Sequence, residues 1–362
     1  MSSTRSLLLP FLLLGTVIAC GQDTTATDAP PSRFRYNSGF DSTYVLDYTY
    51  MVTGRVYAST KTNAFSLLDR ETGERLRYRP NNQVNLGIGA SYRCYTLNLG
   101  VGFGFLNKDA ADKGETDYLD AQVNYFSRFI AINGFFQLYK GYYVADRTPQ
   151  ELGWANPVAK AYREDVSQEN IGLSAVHILN NERFSYRAAF NQDAWQRRSA
   201  GSFLIGAYAT YNRATGDSSL MPTTLASRFD PVLSFNNAWF VDLGVMGGYV
   251  HTFVVHEHWF FTLSGALGIG GSVYHSSPDP IEDSATRGRF NPGYHAQLRS
   301  AAGYNSKITC VALSFNAESV MHSLGEADAF QWTVGNLRFN VAHRFNQRLS
   351  KVDKVIRMLQ RE

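Results

Sequence analysis

The chain has little with which to cross a membrane as helices, bind a polyanion or staple a small fold. Beyond the first twenty residues no apolar run approaches the roughly 18 residues that a spanning helix needs, which excludes a helical membrane protein. The 3 cysteines, Cys20, Cys94 and Cys310, have neither metal-like nor redox spacing, so no zinc site or dense disulfide framework is indicated. Charge of one sign is also missing. The 34 Lys and Arg are interspersed with 31 Asp and Glu, a balance that builds no continuous basic surface and argues against nucleic acid as a partner.

What the chain has instead is 14% aromatic residues and 30 glycines, arranged in alternating stretches. Val84, Leu86, Ile88, Ala90 and Tyr92 share one face of an extended segment, with Asn85, Gly87, Gly89, Ser91 and Arg93 on the other. The next segment sets Tyr95, Leu97, Leu99, Val101, Phe103 and Phe105 against Thr96, Asn98, Gly100, Gly102 and Gly104. A period of two held this long matches a tilted strand crossing a bilayer. The pattern returns in Leu119/Ala121/Val123/Tyr125, Phe184/Tyr186/Ala188/Phe190, Phe261/Leu263/Leu267/Ile269, Val311/Leu313/Phe315/Ala317 and Leu337/Phe339/Val341. Soluble β-sandwiches alternate too. Here, however, the apolar face gathers Tyr and Phe near strand ends, and the polar face carries Gly, Asn and full charges, as a transmembrane barrel requires.

These features predict an all-β, antiparallel, up-and-down transmembrane barrel. Short connections near Arg93, Ser127-Arg128, Asn180 to Glu182, His251 to His258 and Asn305 to Lys307 alternate with long ones over about 61–83, 106–115, 144–169 and 271–288. Bringing both ends of the barrel to one side needs an even count. The expectation is therefore about fourteen strands, one of them within Thr223 to Phe235 despite Pro231, with about twelve as the alternative.

Four regions follow. Residues 1–21 read as a cleaved signal peptide: Arg5, an apolar core from Leu7 to Ile18, then Ala19, Cys20 and Gly21; lipidation of Cys20 is the alternative processing. Residues 22–50 form a polar, periplasmic lead-in, 51–345 the outer-membrane barrel, and 346–362 a tail. In the tail Leu349, Val352, Ile356 and Leu359 predict a short amphipathic helix. The last strand, ending at Phe345, has the aromatic terminus that barrel-assembly machinery recognises, so that machinery and outer-membrane lipid are the expected partners.

Inward positions supply the candidate lumen lining: Arg93, Asp120, Arg187, Asp242, His295, Arg299, Glu318 and Arg338, with Arg344 and Gln297. Their basic excess suggests charge pairing across a narrow lumen or an anion-favouring constriction. His256 and His258 would share a face on an extended chain, but no third ligand is placed, and no metal or cofactor is expected. Ser264 with His295 and an acid would make a membrane-embedded hydrolase, a reading that no nucleophile motif supports. In the loop from Pro149 to Val166, helical spacing of Leu152, Ala155, Val158, Ala159 and Tyr162 suggests a cap for the barrel mouth.

The blocks "RYRPNNQVNLGIGASY", "LNLGVGFGFLN", "GETDYLDAQ", "GFFQLYKGYY", "ERFSYRAAFNQDAWQRRSAGSFLIG" and "DSSLMP" resemble a Bacteroidetes-type family of exported proteins known only as domain of unknown function DUF4421. The resemblance covers about residues 50–345. It implies an outer-membrane barrel and carries no established activity, so no catalytic residue transfers with it. The functional expectation is a pore or transport-associated barrel for small solutes, with a lipid-acting hydrolase or a structural or adhesive scaffold as alternatives.

Overall fold

The computed structural model describes residues 39–81, 84–93, 95–102, 110–155, 159–277, 289–324, 328–347 and 349. The signal segment, most of the lead-in, Cys94 and the tail helix fall outside them. The longest strands are β2 (Val52–Asp69), β11 (Asn237–Val255), β12 (Trp259–Ser277) and β15 (Asp328–Phe345). Between them in the chain run β3 (Arg75–Arg79), β4 (Val84–Tyr92), β5 (Tyr95–Gly102), β6 (Asp117–Phe126), β7 (Ile130–Val144), β8 (Tyr162–Ile178), β10 (Ala200–Thr215), β13 (Arg289–Asn305) and β14 (Thr309–Leu324), while the short β1 (Val45–Asp47) and β9 (Ala194–Gln196) pair with each other and one turn of helix, α1 (Ala110–Lys113), precedes β6.

All pairings are antiparallel. The ladder runs β15-β14-β13-β12-β11-β10-β8-β7-β3-β2 and closes where β2 pairs back onto β15, from Val52 opposite Phe345 to Asp69 opposite Asp328. Pairing of β2 with β15 leaves neither of these two long strands with an edge that lipid could not hydrogen-bond. The short strand β3 completes the circuit through Tyr78 opposite Val144 and Arg79 opposite Tyr143. Strands β4 and β5 continue from β2, and β6 pairs with β7, so ten strands form the closed ring of a 13-stranded sheet and three lie off it.

This count departs from the expected fourteen, and from twelve, for two local reasons. Residues expected as a strand near 184–190 instead form α2 (Tyr186–Phe190), whose N-cap Ser185 accepts from the Ala188 N–H. A Ser cap ahead of Ala-Ala favours a helical turn, and an alternation this short does not distinguish the two. Thr223 to Phe235 contains no strand either. There Asp230 accepts from Val232 N at 2.8 Å and Pro231 opens a 3-10 turn.

The two faces of the wall differ as a bilayer-spanning barrel demands. Outward positions form an exposed apolar belt: Ile88 and Leu99, Val123, Phe203 and Ile205, Leu243 and Val245, Leu267 and Ile269, Leu313, Leu337 and Phe339. Tyr249, Trp259 and Tyr304 fringe it at the end with short turns, and Trp239 and Tyr294 toward the loop end. Placing a charge in the middle of this belt should be costly. Leu243→Arg is expected to lower stability in lipid vesicles by about 2–4 kcal/mol and Trp239→Arg, near the rim, by about 1 or less. Denaturant titration of the reconstituted proteins checks this, and equal costs would mean that the belt is misplaced.

Candidate functional site within the barrel

Toward the loop end, the polarity of wall strands β2 and β15 inverts. Along β2 the inward side changes from Arg55, Ser59, Lys61 and Asn63 to Phe65 and Leu67, while the outward side changes from Val56 and Ala58 to Thr60, Thr62 and Ser66. In register with it, β15 changes inside from Arg338 and Asn336 to Trp332 and Phe330, and outside from Phe339 and Leu337 to Thr333 and Gln331. The reason is solvent. Where lipid surrounds the wall the outside must be apolar, and where water does, the apolar side turns inward.

The inward apolar groups at that end form a closed core. Phe65, Leu67, Tyr78, Tyr142, Phe240, Phe330 and Trp332 meet Leu220, Met221, Leu225, Leu233 and Phe235, which the connection from β10 to β11 folds into the mouth. Phe240 and Phe330 stack at 4.5 Å, and the Tyr78 hydroxyl donates to Leu220 O at 2.6 Å. The anticipated cap from Pro149 to Val166 contributes Val166, fully buried in this core from β8, and Leu152, packed at its margin. Its predicted helix is absent among the described residues, because Tyr162 to Val166 already belong to β8. An ionic latch fastens the lid: Glu74, in the β2–β3 turn, pairs with Arg147 and Arg228. Nearby, Asp230 N donates to Asp69 Oδ2 at 3.1 Å.

Below this seal the interior is polar. Asp242 Oδ2 lies 2.5 Å from His322 Nδ1, both fully buried, and His322 Nε2 meets Asn212 Oδ1 at 3.1 Å. The Asn212 and Asn170 amides meet at 2.8 Å. His295 Nε2 contacts Glu318 Oε1 at 2.9 Å, and its imidazole packs against Tyr208 with centroids 4.4 Å apart. The Tyr208 ring fits because Gly244 and Gly268 face it; a Cβ at either position would come within 2.7 Å of the ring. Lys61 Nζ pairs with Asp120 Oδ1 at 2.9 Å, while Gln137 and Tyr139 both donate to Asp120 Oδ2 at 3.0 Å. Arg299 donates to Asn133 Oδ1 at 2.9 Å, and Arg338 stacks over Tyr57 at 4.3 Å. Between these groups lies a chamber of about 100 Å³, lined by Gln122, Asn124, Asn316, Asn336, Arg299 and Arg338 among others.

A plug closes the turn end. Residues 179–199, between β8 and β10, fold into the mouth as α2 and the short strand β9 (Ala194–Gln196), which pairs with β1 (Val45–Asp47). Tyr186 reaches Ser264 on the wall, hydroxyl to hydroxyl, at 3.3 Å. Arg187 forms a buried ion pair with Asp193 at 2.5 Å and donates to the carbonyls of Phe126 and Arg93. The wall answers with Arg55, which donates to Asn191 O at 3.0 Å, and with Arg344, which donates to Gln192 O at 2.6 Å and Ala194 O at 3.1 Å.

Six of the eight candidate lining residues, Asp120, Asp242, His295, Arg299, Glu318 and Arg338, face the interior from wall strands. Two are placed elsewhere. Arg187 lies on the plug helix, and Arg93 sits in the β4–β5 turn at φ 58°, beyond the strand whose alternation assigned it inward. The basic excess of the lumen is thereby shifted toward the turn end: in mid-barrel Lys61, Arg299 and Arg338 stand against Asp120, Asp242 and Glu318, whereas Arg55 and Arg344 face the plug with carbonyl rather than carboxylate partners. Sequence reading missed Lys61 and Asn63, which fell in an assumed loop, and His322, although strand parity from Leu313 onward would have turned it inward. Ser264 and His295 do not assemble a hydrolase. His295 is opposite Gly268, four residues along β12, roughly 13 Å from Ser264. His256 and Glu257 have φ of 50° and 62° in a tight turn, so His256 and His258 do not share an extended face, and His258 stacks on Trp195. Among the described residues no group of three or more His, Cys, Asp or Glu could hold a metal.

Residues 40–345 match the family model "Domain of unknown function (DUF4421)", and the chain belongs to that family. No curated protein matches it. Among solved structures it is similar to the translocator domain of autotransporter NalP from Neisseria meningitidis, at 7% identity, TM-score 0.30, covering 81% of this chain and 88% of that one. It is also similar to the Pseudomonas putida toluene transporter TodX, at 7% identity, TM-score 0.25 and coverages of 82% and 91%. OmpT, an outer membrane protein of Vibrio cholerae, gives 8% identity, TM-score 0.27 and coverages of 81% and 98%. Scores this low carry no functional argument.

Two outcomes follow from the closures. Arg187→Met leaves the Asp193 carboxylate buried without its cation and should destabilise the plug by about 3–5 kcal/mol, read as hydrogen exchange in residues 184–196 rising while wall strands stay protected. At the other end, Arg228 and Arg147 hold Glu74 below the usual carboxylate range. A lowered folded pKa makes the latch strongest above about pH 4.5 and weakens it as pH falls through the folded value. Pepsin cleavage within 216–236 should therefore rise as the pH is taken below the usual carboxylate range and through the folded value. Glu74→Gln should already be cleaved faster at about pH 5; if it matches the wild type there, the latch is not what holds the lid.

Proposed function

We propose that this DUF4421 member is an outer-membrane barrel that serves as a gated, transport-associated channel for small polar solutes, here in its closed state. The loop end faces the exterior and the plug the periplasm, following the usual placement of long loops and short turns. One observation carries the reading: a polar chamber lies between two separate seals. A barrel serving only as a scaffold could fill its whole interior with apolar side chains, as the loop end already does. Burying His322, Asp242 and Arg299 in mid-barrel has a desolvation cost that a hydrated pathway would relieve once a seal opens. Mid-barrel cations are matched by anions, and the surplus of Arg55 and Arg344 at the turn end favours a modest preference for anions.

Planar-bilayer recording tests this. The intact protein should be nearly silent. Replacing 183–196 by a short Gly-Ser linker and shortening 219–235 should each give brief openings, and together sustained conductance with a modest preference for anions. If the doubly altered protein inserts, keeps heat-modifiable migration and remains silent, the channel reading fails and a scaffold takes its place.

A further inference from the structure

The outer face of β3 carries Arg75, Arg77 and Arg79 at alternate positions, while Leu76 and Tyr78 between them point into the loop-end core. The three guanidinium groups therefore share one side of the wall, over roughly 13 Å. Register fixes the side: Arg77 is opposite Ser66 and Arg75 opposite Leu68, both outward on β2, and Arg79 is opposite Tyr143 on β7. Their depth is fixed as well. On β2 they lie past Val56 and Ala58, beyond the point where the outer face becomes Thr60, Thr62 and Ser66. That is the level of headgroups and sugars rather than acyl chains.

Charge at this face is only partly compensated. Asp146 reaches it and is taken up by Arg75 at 3.4 Å, and Glu74 is committed to Arg147 and Arg228. Among the described residues neither the Arg77 nor the Arg79 guanidinium has an ion pair or side-chain hydrogen-bond partner, and Arg79 Nε is buried without an acceptor. Arg77 thus sits in the field of two like charges, offset by Asp146. Arginine presents a planar fork matched to phosphate oxygens, and a row of such forks held on a strand suits a ligand with more than one phosphate.

We propose that this ladder binds the phosphate groups of an outer-leaflet glycolipid. The proposal rests on the outward placement of the loop end and is independent of whether the barrel conducts. Native mass spectrometry of the detergent-solubilised protein, titrated with bis-phosphorylated lipid A and with its dephosphorylated form, tests it. The wild type should retain the phosphorylated lipid at least tenfold better than the dephosphorylated one. Arg75→Gln/Arg77→Gln/Arg79→Gln should abolish that preference while keeping heat-modifiable migration. Arg77→Gln alone should reduce it several-fold, which keeps the test decisive if the triple variant folds poorly. Inorganic phosphate at the same concentration should not displace the lipid. Equal retention of both lipids by the wild type, an unaltered preference in the Arg77→Gln variant, or full displacement by inorganic phosphate would each overturn the proposal. Conductance of the plug- and lid-altered protein should not change with Arg77→Gln, so failure here and failure of the channel reading remain separate results.

Discussion

Everything in this molecule follows from the need to satisfy backbone N–H and C=O groups where no water can reach them. Ring closure by β2 on β15 is the solution, and it is unbroken from Val52 to Asp69. Once the ring is closed, the period of two assigns every wall residue to lipid or to the interior, and the composition of both surfaces is constrained at a stroke. The interior is narrow enough that its polar groups meet across it, as Asn212 meets His322 and Arg299 meets Asn133. Charges there are tolerable because partners or amides receive them.

The inversion of polarity along β2 and β15 shows one chain obeying two solvents. A single strand reads as membrane barrel over its lower part and as soluble barrel over its upper part, with the change near Asn63 and Val334. The same inversion explains why an apolar lid can be built from Leu220 to Phe235 at the loop end, whereas at the turn end the plug's Phe184 and Tyr186 share an apolar cluster with Ile178, Leu204 and Val250 and a buried ion pair and hydrogen bonds are added to it. The turn-end seal therefore adds buried charge to apolar packing, and because the Arg187–Asp193 pair is out of water salt screens it little.

Much of this was legible in the residues. Alternation at Val84 to Tyr92 and Leu97 to Leu99 assigned the correct faces, and six inward charged or imidazole groups followed from parity alone. What could not be read was any place where parity no longer meant lipid outside. Residues 61–69 looked like loop because their apolar positions, Phe65 and Leu67, are on the opposite face from Val56. Residues 184–191 looked like wall because an amphipathic helical turn and a short strand share the same local alternation, and only the tertiary position of α2 decides between them. The pairing of Arg187 with Asp193 depended on that fold and had no signature in strand periodicity.

The plug belongs to the middle of the chain, joined to β8 at one end and to β10 at the other. A stopper anchored at a single point can be expelled from a barrel; one tethered at two adjacent wall strands cannot. Strands β8 and β10 are direct neighbours in the ring, so both anchors lie on the same side of the mouth. Any displacement must be a swing about that side, like a hinged flap, and must return to the same seat. Its reach is bounded by about twenty residues of slack, and the opening it uncovers should lie farthest from the hinge, across the mouth from β8 and β10.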